Sequence, residues 1–268
     1  MPGSVIAATA CPNKILQFTE ADHRYVIRDK QTNQEIQELI SATTLIEQYF
    51  PPFDANGISH NSACRQLGVD SALPPTPVVE AKAAEIRSVW KAAADYGTHV
   101  HEYMEDLMLG RPPRRTPENE KESTVFGLGA SFARKLKPKL ENITPERIIC
   151  DPEYGVAGCI DLLAKDPHAD QLIIIDWKTN KEITTESFMH KFGFPPIEHL
   201  PDCKFSHYSL QLNLYEFILK HAGYILPRIP ILKYLVHIHP TKGVNVMAVP
   251  DRQREITDIL NDHRAKKA

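Results

Sequence analysis

Two acidic residues set inside apolar strand patterns constrain this chain more than anything else in it. One run reads Gly158-Cys-Ile-Asp161-Leu-Leu after Val156 and Ala157. The next reads Ile173-Ile-Ile-Asp176-Trp-Lys178-Thr179. Short aliphatic runs bounded by turn residues form buried strands, and an ionised carboxylate in that setting requires a cation, a metal ion or several hydrogen-bond donors. On adjacent antiparallel strands the two acids would converge on one point. Asp176 and Lys178 are two residues apart, so they leave the same face of their strand. Taken alone, that Asp–Lys pair is equally well read as an ion pair closing a sheet.

The rest of the chain supplies a frame for these strands. Leu16–Ile27 reads as extended with a turn at Glu20–Arg24. Asp29–Asn33 is a second turn, and Ser41 caps a helix running to about Tyr49, stopped by Pro51–Pro52. Residues 54–77 read as loop or short helices. Val78–Leu109 is the strongest helix signal, and Gly110–Pro113 ends it. A second helix is expected over Glu120–Leu140. Three strands follow (Arg147–Cys150, Gly155–Lys165, Gln171–Lys178), then an irregular stretch over Ile183–Ser206. Tyr208–His221 reads as helix, Ile231–His239 and Val244–Val249 as a hairpin, and Asp251–Ala265 as a final helix. The expected class is α/β or α+β, a sheet flanked by helices. The division is an N-terminal hairpin and helical addition over residues 1–77, and a core over 78–268, together one compact unit.

Composition narrows the function classes. The net charge of −3 argues against a general polyanion binder, so a nucleic-acid partner needs a local basic groove. Candidates are Arg111, Arg114 and Arg115, the Arg134/Lys135/Lys137/Lys139 run, and the His263–Lys267 tail; solvated surface charge explains any one of them. No run is long enough for a membrane span, and Met1–Ala10 lacks the basic flank of a secretory signal. Five cysteines without a CxxC pair read as free thiols, with Cys150 and Cys159 as buried fillers. The chain is expected to be soluble and intracellular: cytoplasmic, organellar or nuclear.

One helical residue joins the two acids. His101 recurs with Trp90, Ala94, Gly97, Glu105 and Met108 on one face of the long helix. A lone histidine on such a face is more often a core residue than a ligand. Glu105, one turn on, either hydrogen-bonds His101 from outside the ligand set or faces solvent. His99, two residues away, points elsewhere. Gly97 admits a close neighbour or a bend. Oxygen ligands without cysteine favour Mg²⁺ or Mn²⁺, and two acids with a lysine suit phosphodiester hydrolysis, where charge accumulates on oxygen.

Four segments, in order, carry a family resemblance: Gly97-Thr-His-Val-His101-Glu-Tyr-Met-Glu105, Gly158-Cys-Ile-Asp161, Asp176-Trp-Lys178-Thr179 and Gln211-Leu-Asn-Leu-Tyr215. Each is weak alone; together they resemble the motifs of RecB-like nucleases in the PD-(D/E)XK superfamily, over about Trp90 to Tyr215. The opening, His23-Arg-Tyr25 through Ser41-Ala-Thr43-Thr44, is similar to phage- and virus-type exonucleases, as is Tyr208-Ser-Leu-Gln211-Leu; mitochondrial genome maintenance exonucleases are another similar group. The resemblance implies a restriction-endonuclease-like core and a metal held by His101, Asp161, Asp176 and the backbone carbonyl of Trp177. It implies that Lys178 positions the attacking water, and that Gln211 and Tyr215 contact DNA or brace the lysine strand. Glu146 or Glu153 would be an extra acid, and Thr179 flanks the third motif. Iron–sulfur branches carry a C-terminal cysteine trio that is missing here, so no cluster is expected. No GxxxxGK[ST] motif occurs, so no ATP-driven motor is expected.

The expectation is a Mg²⁺- or Mn²⁺-dependent deoxyribonuclease; the resemblance implies an exonuclease on DNA ends in replication, recombination or repair, with a recombination or replication protein as a candidate partner. The helices ahead of the sheet would guide a strand end, and Tyr25, Phe50, Trp90 and Tyr96 would stack bases or pack in the core. The alternatives are a catalytically silent nuclease-fold protein that binds DNA or a partner, and another acid-ligated hydrolase.

Overall fold

In the computed structural model the described residues are 14–19, 24–72, 74–187 and 190–267. They form one mixed sheet with helices on both faces. The strands are β1 (Lys14–Thr19), β2 (Arg24–Asp29), β3 (Glu35–Ser41), β4 (Glu141–Asp151), β5 (Val156–Lys165), β6 (Leu172–Lys178), β7 (Ile231–His239) and β8 (Gly243–Ala248). The helices are α1 (Ala42–Glu47), α2 (Ala55–Leu67), α3 (Pro77–Leu109), α4 (Glu120–Leu136), α5 (Lys204–His221) and α6 (Gln253–Lys267).

Helices α1, α5 and α6 cover one face, packing Leu45, Leu214, Ile218, Ile256 and Ile259 on Ile174 and Leu235. Helices α3 and α4 cover the other, packing Met104, Val125 and Phe126 on Leu162, Trp177 and Val236. Burial of this kind is worth roughly 1.5–3 kcal/mol per large aliphatic side chain, which outweighs local propensity in fixing the elements. Trp177 is fully buried under α4, its ring edge-on to Phe132 at 6.3 Å. Among the described residues no helix is long and apolar enough to cross a membrane.

Several boundaries have local causes. Helix α3 begins with Thr76 accepting a hydrogen bond from the Val79 N–H and Pro77 at its first position. It ends at Gly110, whose φ of +73° is the left-handed turn that glycine makes at least cost. Ser41 caps α1 as expected, accepting from the Thr44 N–H. Three elements differ from expectation. Residues 55–67 form a full helix capped by Asp54. Helix α4 stops at Leu136, and Lys137–Lys139 tighten into a 3₁₀ turn around Pro138. Glu35–Ser41 is a strand not foreseen from its sequence. Its polar residues sit on an exposed ribbon, and pairing with β2 determines its conformation.

The N-terminal ribbon is continuous with the main sheet. β3 pairs in parallel with the start of β5 through Ile40↔Val156 and Ser41↔Ala157. On the same edge of β5, β6 pairs antiparallel from Lys165↔Leu172 to Leu162↔Ile175 and then stops. The next pair in register would be Asp161↔Asp176. β6 nevertheless continues beside β7 as far as Lys178↔His237. The sheet therefore opens between β5 and β6 at the position of the two acids, with β3 closing the far side.

Candidate active site

The notch between β5 and β6 leaves backbone groups that the ladder would have used, and side chains take them instead. The Trp177 N–H donates to Asp161 Oδ2 at 2.8 Å. The Trp177 carbonyl accepts from His101 Nε2 at 2.8 Å. With Nε2 so engaged, the other ring nitrogen of His101, Nδ1, lies 3.4 Å from Asp161 Oδ2. The imidazole descends from α3, one turn beyond Gly97. That glycine is not demanded by steric closeness: a Cβ there would meet only Thr179 Oγ1, at 3.6 Å.

A third acid completes the group. Glu146 lies on β4 between the pairs Pro145↔Leu162 and Arg147↔Ile160, directly across from Asp161. Its φ of +46° is left-handed, a conformation that costs a non-glycine residue energy and that clusters at functional sites. One ligand atom each from His101, Glu146 and Asp161 lies within 4.8 Å of the others. Burial pushes the Glu146 carboxyl up to about 7, helped by the nearby charge of Asp161. Of the two glutamates considered for this place, Glu146 is at the site. Glu153 sits on the β4–β5 turn, ion-paired with Arg264 at 3.0 Å and away from the notch.

Asp176 stands behind this trio. It is 1% exposed, Oδ1 accepts no hydrogen bond, and Oδ2 is ion-paired with Lys178 Nζ at 2.6 Å. Burial pushes its carboxyl up to about 6 against the opposing pull of Lys178. For Lys178 burial disfavours the ammonium, but Asp176 and Asp161 outweigh it and raise its pKa, so the lysine stays charged.

On the other side of the notch Gln211 Nε2 donates to Tyr215 Oη at 2.7 Å. Tyr215 is buried, and burial pushes its phenol well above its ordinary value, so it stays protonated. The Cε1 edge of its ring abuts Gly158, where a side-chain carbon would overlap it. The glycine of the Gly158-Cys-Ile-Asp161 run is thus required by the tyrosine four residues after Gln211, a contact invisible in the sequence.

These groups open into one cleft of about 930 Å³, walled by α3, the β1–β2 ribbon and the start of α1. Six carboxylates line it (Asp95, Glu102, Glu105, Glu146, Asp161, Asp176) against three cations, Arg114, Arg115 and Lys178. Glu105 is not bonded to His101; it pairs with Arg114, which also holds Asp106 at 3.0 Å, and Arg115 pairs with Glu102 at 2.5 Å. His99 also reaches the rim, held by Glu122 at 3.2 Å, instead of turning away. Cys159 is not a buried filler: it lines the cleft and its thiol donates to Glu146 at 3.2 Å. Thr179 follows Lys178 at the strand end, over Gly97.

The proposed stacking aromatics divide. Tyr25 lines the cleft, stacked on Phe18 with centroids 4.5 Å apart. Phe50 is core, stacked on His207 at 4.0 Å. Tyr96 is buried, and Trp90 packs against Phe53 at 5.6 Å. Arg111 and the Arg134–Lys139 run lie outside the cleft, as does the His263–Lys267 tail, of which His263 is buried in α6. Cys11, Met1–Ala10 and His23 fall outside the described residues.

The donors suit a hard divalent cation. They are carboxylate and imidazole, they converge, and they leave a buried carboxylate oxygen, Asp176 Oδ1, without a hydrogen bond. An excess of acid in a partly buried cleft is itself unfavourable unless a cation neutralises it.

No protein-family model matches the chain, and no curated protein does. Among solved structures, one described as the crystal structure of SSO0001 aligns over 88% of this chain and 79% of its own at 13% identity, with a TM-score of 0.33. A likeness that loose decides neither fold family nor activity.

Proposed function

We propose that this chain is a metal-dependent deoxyribonuclease built on a PD-(D/E)XK core, acting as an exonuclease on DNA ends. The observation that carries the reading is the meeting of His101, Glu146 and Asp161 beside a charged Asp176–Lys178 pair, where β6 parts from β5. Those residue types in that order match the motifs of the resembling nucleases; the exonuclease preference rests on that resemblance alone.

His101, Glu146 and Asp161 would hold Mg²⁺ or Mn²⁺, with Asp176 completing the acid set. The bound ion would supply Lewis-acid stabilisation and a more acidic water. The chain's own groups do the rest. Lys178, kept protonated by two acids, offers a fixed ammonium to the negative charge that grows on the phosphoryl oxygens. Asp161 accepts from the Trp177 N–H and so ties β5 to β6 at the reacting position. The Gln211–Tyr215 pair fixes α5 against Gly158 and presents the amide of Gln211 to the cleft. Arg114 and Arg115 line the entrance, already held by acids, in place to meet phosphates.

The test uses end-labelled single- and double-stranded oligonucleotides and a covalently closed circle, with Mg²⁺, Mn²⁺ or EDTA. Metal-dependent shortening of linear DNA that spares the circle is expected. Asp176→Asn should lower kcat by about 10²–10³-fold or more, as loss of a charge-stabilising group does. Cleavage of the circle would overturn the exonuclease assignment. Linear DNA left intact with both metals would overturn the nuclease reading.

A further inference from the structure

Lys178 touches one group to which the resemblance assigns no role, although the Tyr208-Ser-Leu-Gln211-Leu segment is itself similar to the phage- and virus-type exonucleases. Its ammonium lies over the ring face of Tyr208, 4.4 Å from the centroid. Tyr208 comes from α5, across the notch from the helix that carries His101. Its hydroxyl donates to the Asn180 side-chain oxygen at 2.8 Å. Asn180 is held from a second direction: its backbone carbonyl bonds His237 Nε2 at 2.6 Å, on the strand that pairs with β6. The end of β6 is therefore clamped on both sides, with Lys178 two residues before the clamp.

We propose that Tyr208 is a positioning residue for Lys178, its ring fixing the direction in which the ammonium meets the cleft. An ammonium has three donors and no acceptor. Asp176 takes one at 2.6 Å, and the electron-rich ring face takes a second direction. One N–H direction is left, and the lysine lines the cleft. A long flexible side chain is thereby reduced to a single useful orientation. Burial raises the phenol pKa, so Tyr208 remains a donor to Asn180. The purpose assigned to that orientation rests on the hydrolytic reading above; the placement does not.

The decisive measurement is made on the metal-free full chain labelled with ¹³C-lysine. The Lys178 ε-methylene signal, identified by its loss in Lys178→Arg, should lie upfield of the other lysines because of the ring current. Tyr208→Phe should keep that shift and Tyr208→Leu should abolish it. A Lys178 signal at the ordinary lysine position in the unmodified chain, or one unmoved by Tyr208→Leu, overturns the proposal; the first of these needs no variant to fold. With Mg²⁺ or Mn²⁺, Tyr208→Leu should lower kcat about tenfold to thirtyfold with KM unchanged, and Tyr208→Phe should stay within about threefold. Loss of KM alone, or equal loss in both variants, overturns the positioning role. An unmodified chain that shows the shifted signal yet cleaves no DNA refutes the nuclease reading and leaves the placement of Lys178 standing.

Discussion

Two lysines on neighbouring parallel strands, one buried and one partly buried, meet acids in this protein, and they are treated in opposite ways. Lys233 on β7 pairs with Glu216 of α5, and its Nζ also donates to Asn213 Oδ1 at 2.8 Å. Glu216 takes a second lysine, Lys220, at 2.6 Å. Asn213 accepts from the Arg252 N–H at 3.0 Å, so α5, β7 and the start of α6 share one hub. Lys178 on β6 has one acid, a ring face and an open cleft, and its partner Asp176 keeps an oxygen without a hydrogen bond. A saturated ionic cluster holds elements together. An unsaturated one stores interaction capacity for a ligand, because an unmet buried carboxylate binds a cation more strongly than water-exposed groups do.

That contrast can be broken most sharply at the hub. Lys233→Ala leaves Glu216 buried with fewer partners, and should cost about 3–5 kcal/mol of stability. Denaturant melts would register the loss, while kcat per folded molecule should not change. At the site the same logic inverts. The double change Asp176→Leu with Lys178→Met replaces both charges by apolar side chains, and the metal-free protein should be unaffected or gain about 1–4 kcal/mol, with hydrolysis abolished. A large loss of stability there would mean that the pair is structural after all. Between these extremes, Gly158→Ala pushes a methyl into the Tyr215 ring and should cost about 1–3 kcal/mol through overpacking; thermal melts and turnover would fall together. The smallest effect is Gly97→Ala. With Thr179 Oγ1 at 3.6 Å as its one new neighbour, the added methyl should stabilise α3 by about 0.5–1 kcal/mol. A melting temperature that falls instead would mean that the histidine face of α3 needs its flexibility.

Much of this arrangement is legible in the residues, and the reasons are local. Helix α3, the three central strands and the closing hairpin follow from periodicity, and from the glycines and prolines that punctuate it. Asp161, Asp176 and Lys178 stand out because charge inside an aliphatic run has to be answered by something. His101 is marked only by its company. Glu146 was harder to separate from Glu153, since both are acids shortly before the second run. Only the register of β4, placing Glu146 opposite Asp161, distinguishes them. Cys159 looked like filler because alternation assigns a face without saying whether that face meets another layer or a cleft.

Sequence alone determined most of the helices and strands, though not β3 or the full length of α2, and which charges must be buried, since both depend on neighbours a few residues apart. Tertiary structure alone decided where the β5–β6 ladder ends, that the Tyr215 ring occupies the space over Gly158, and that Lys178 is flanked by Tyr208 while Lys233 is enclosed by Asn213 and Glu216. Those outcomes depend on contacts between residues 16 to 57 positions apart in the chain, such as Trp177 with Asp161 and His237 with Asn180. Such contacts form when whole faces pack, and no local pattern encodes them.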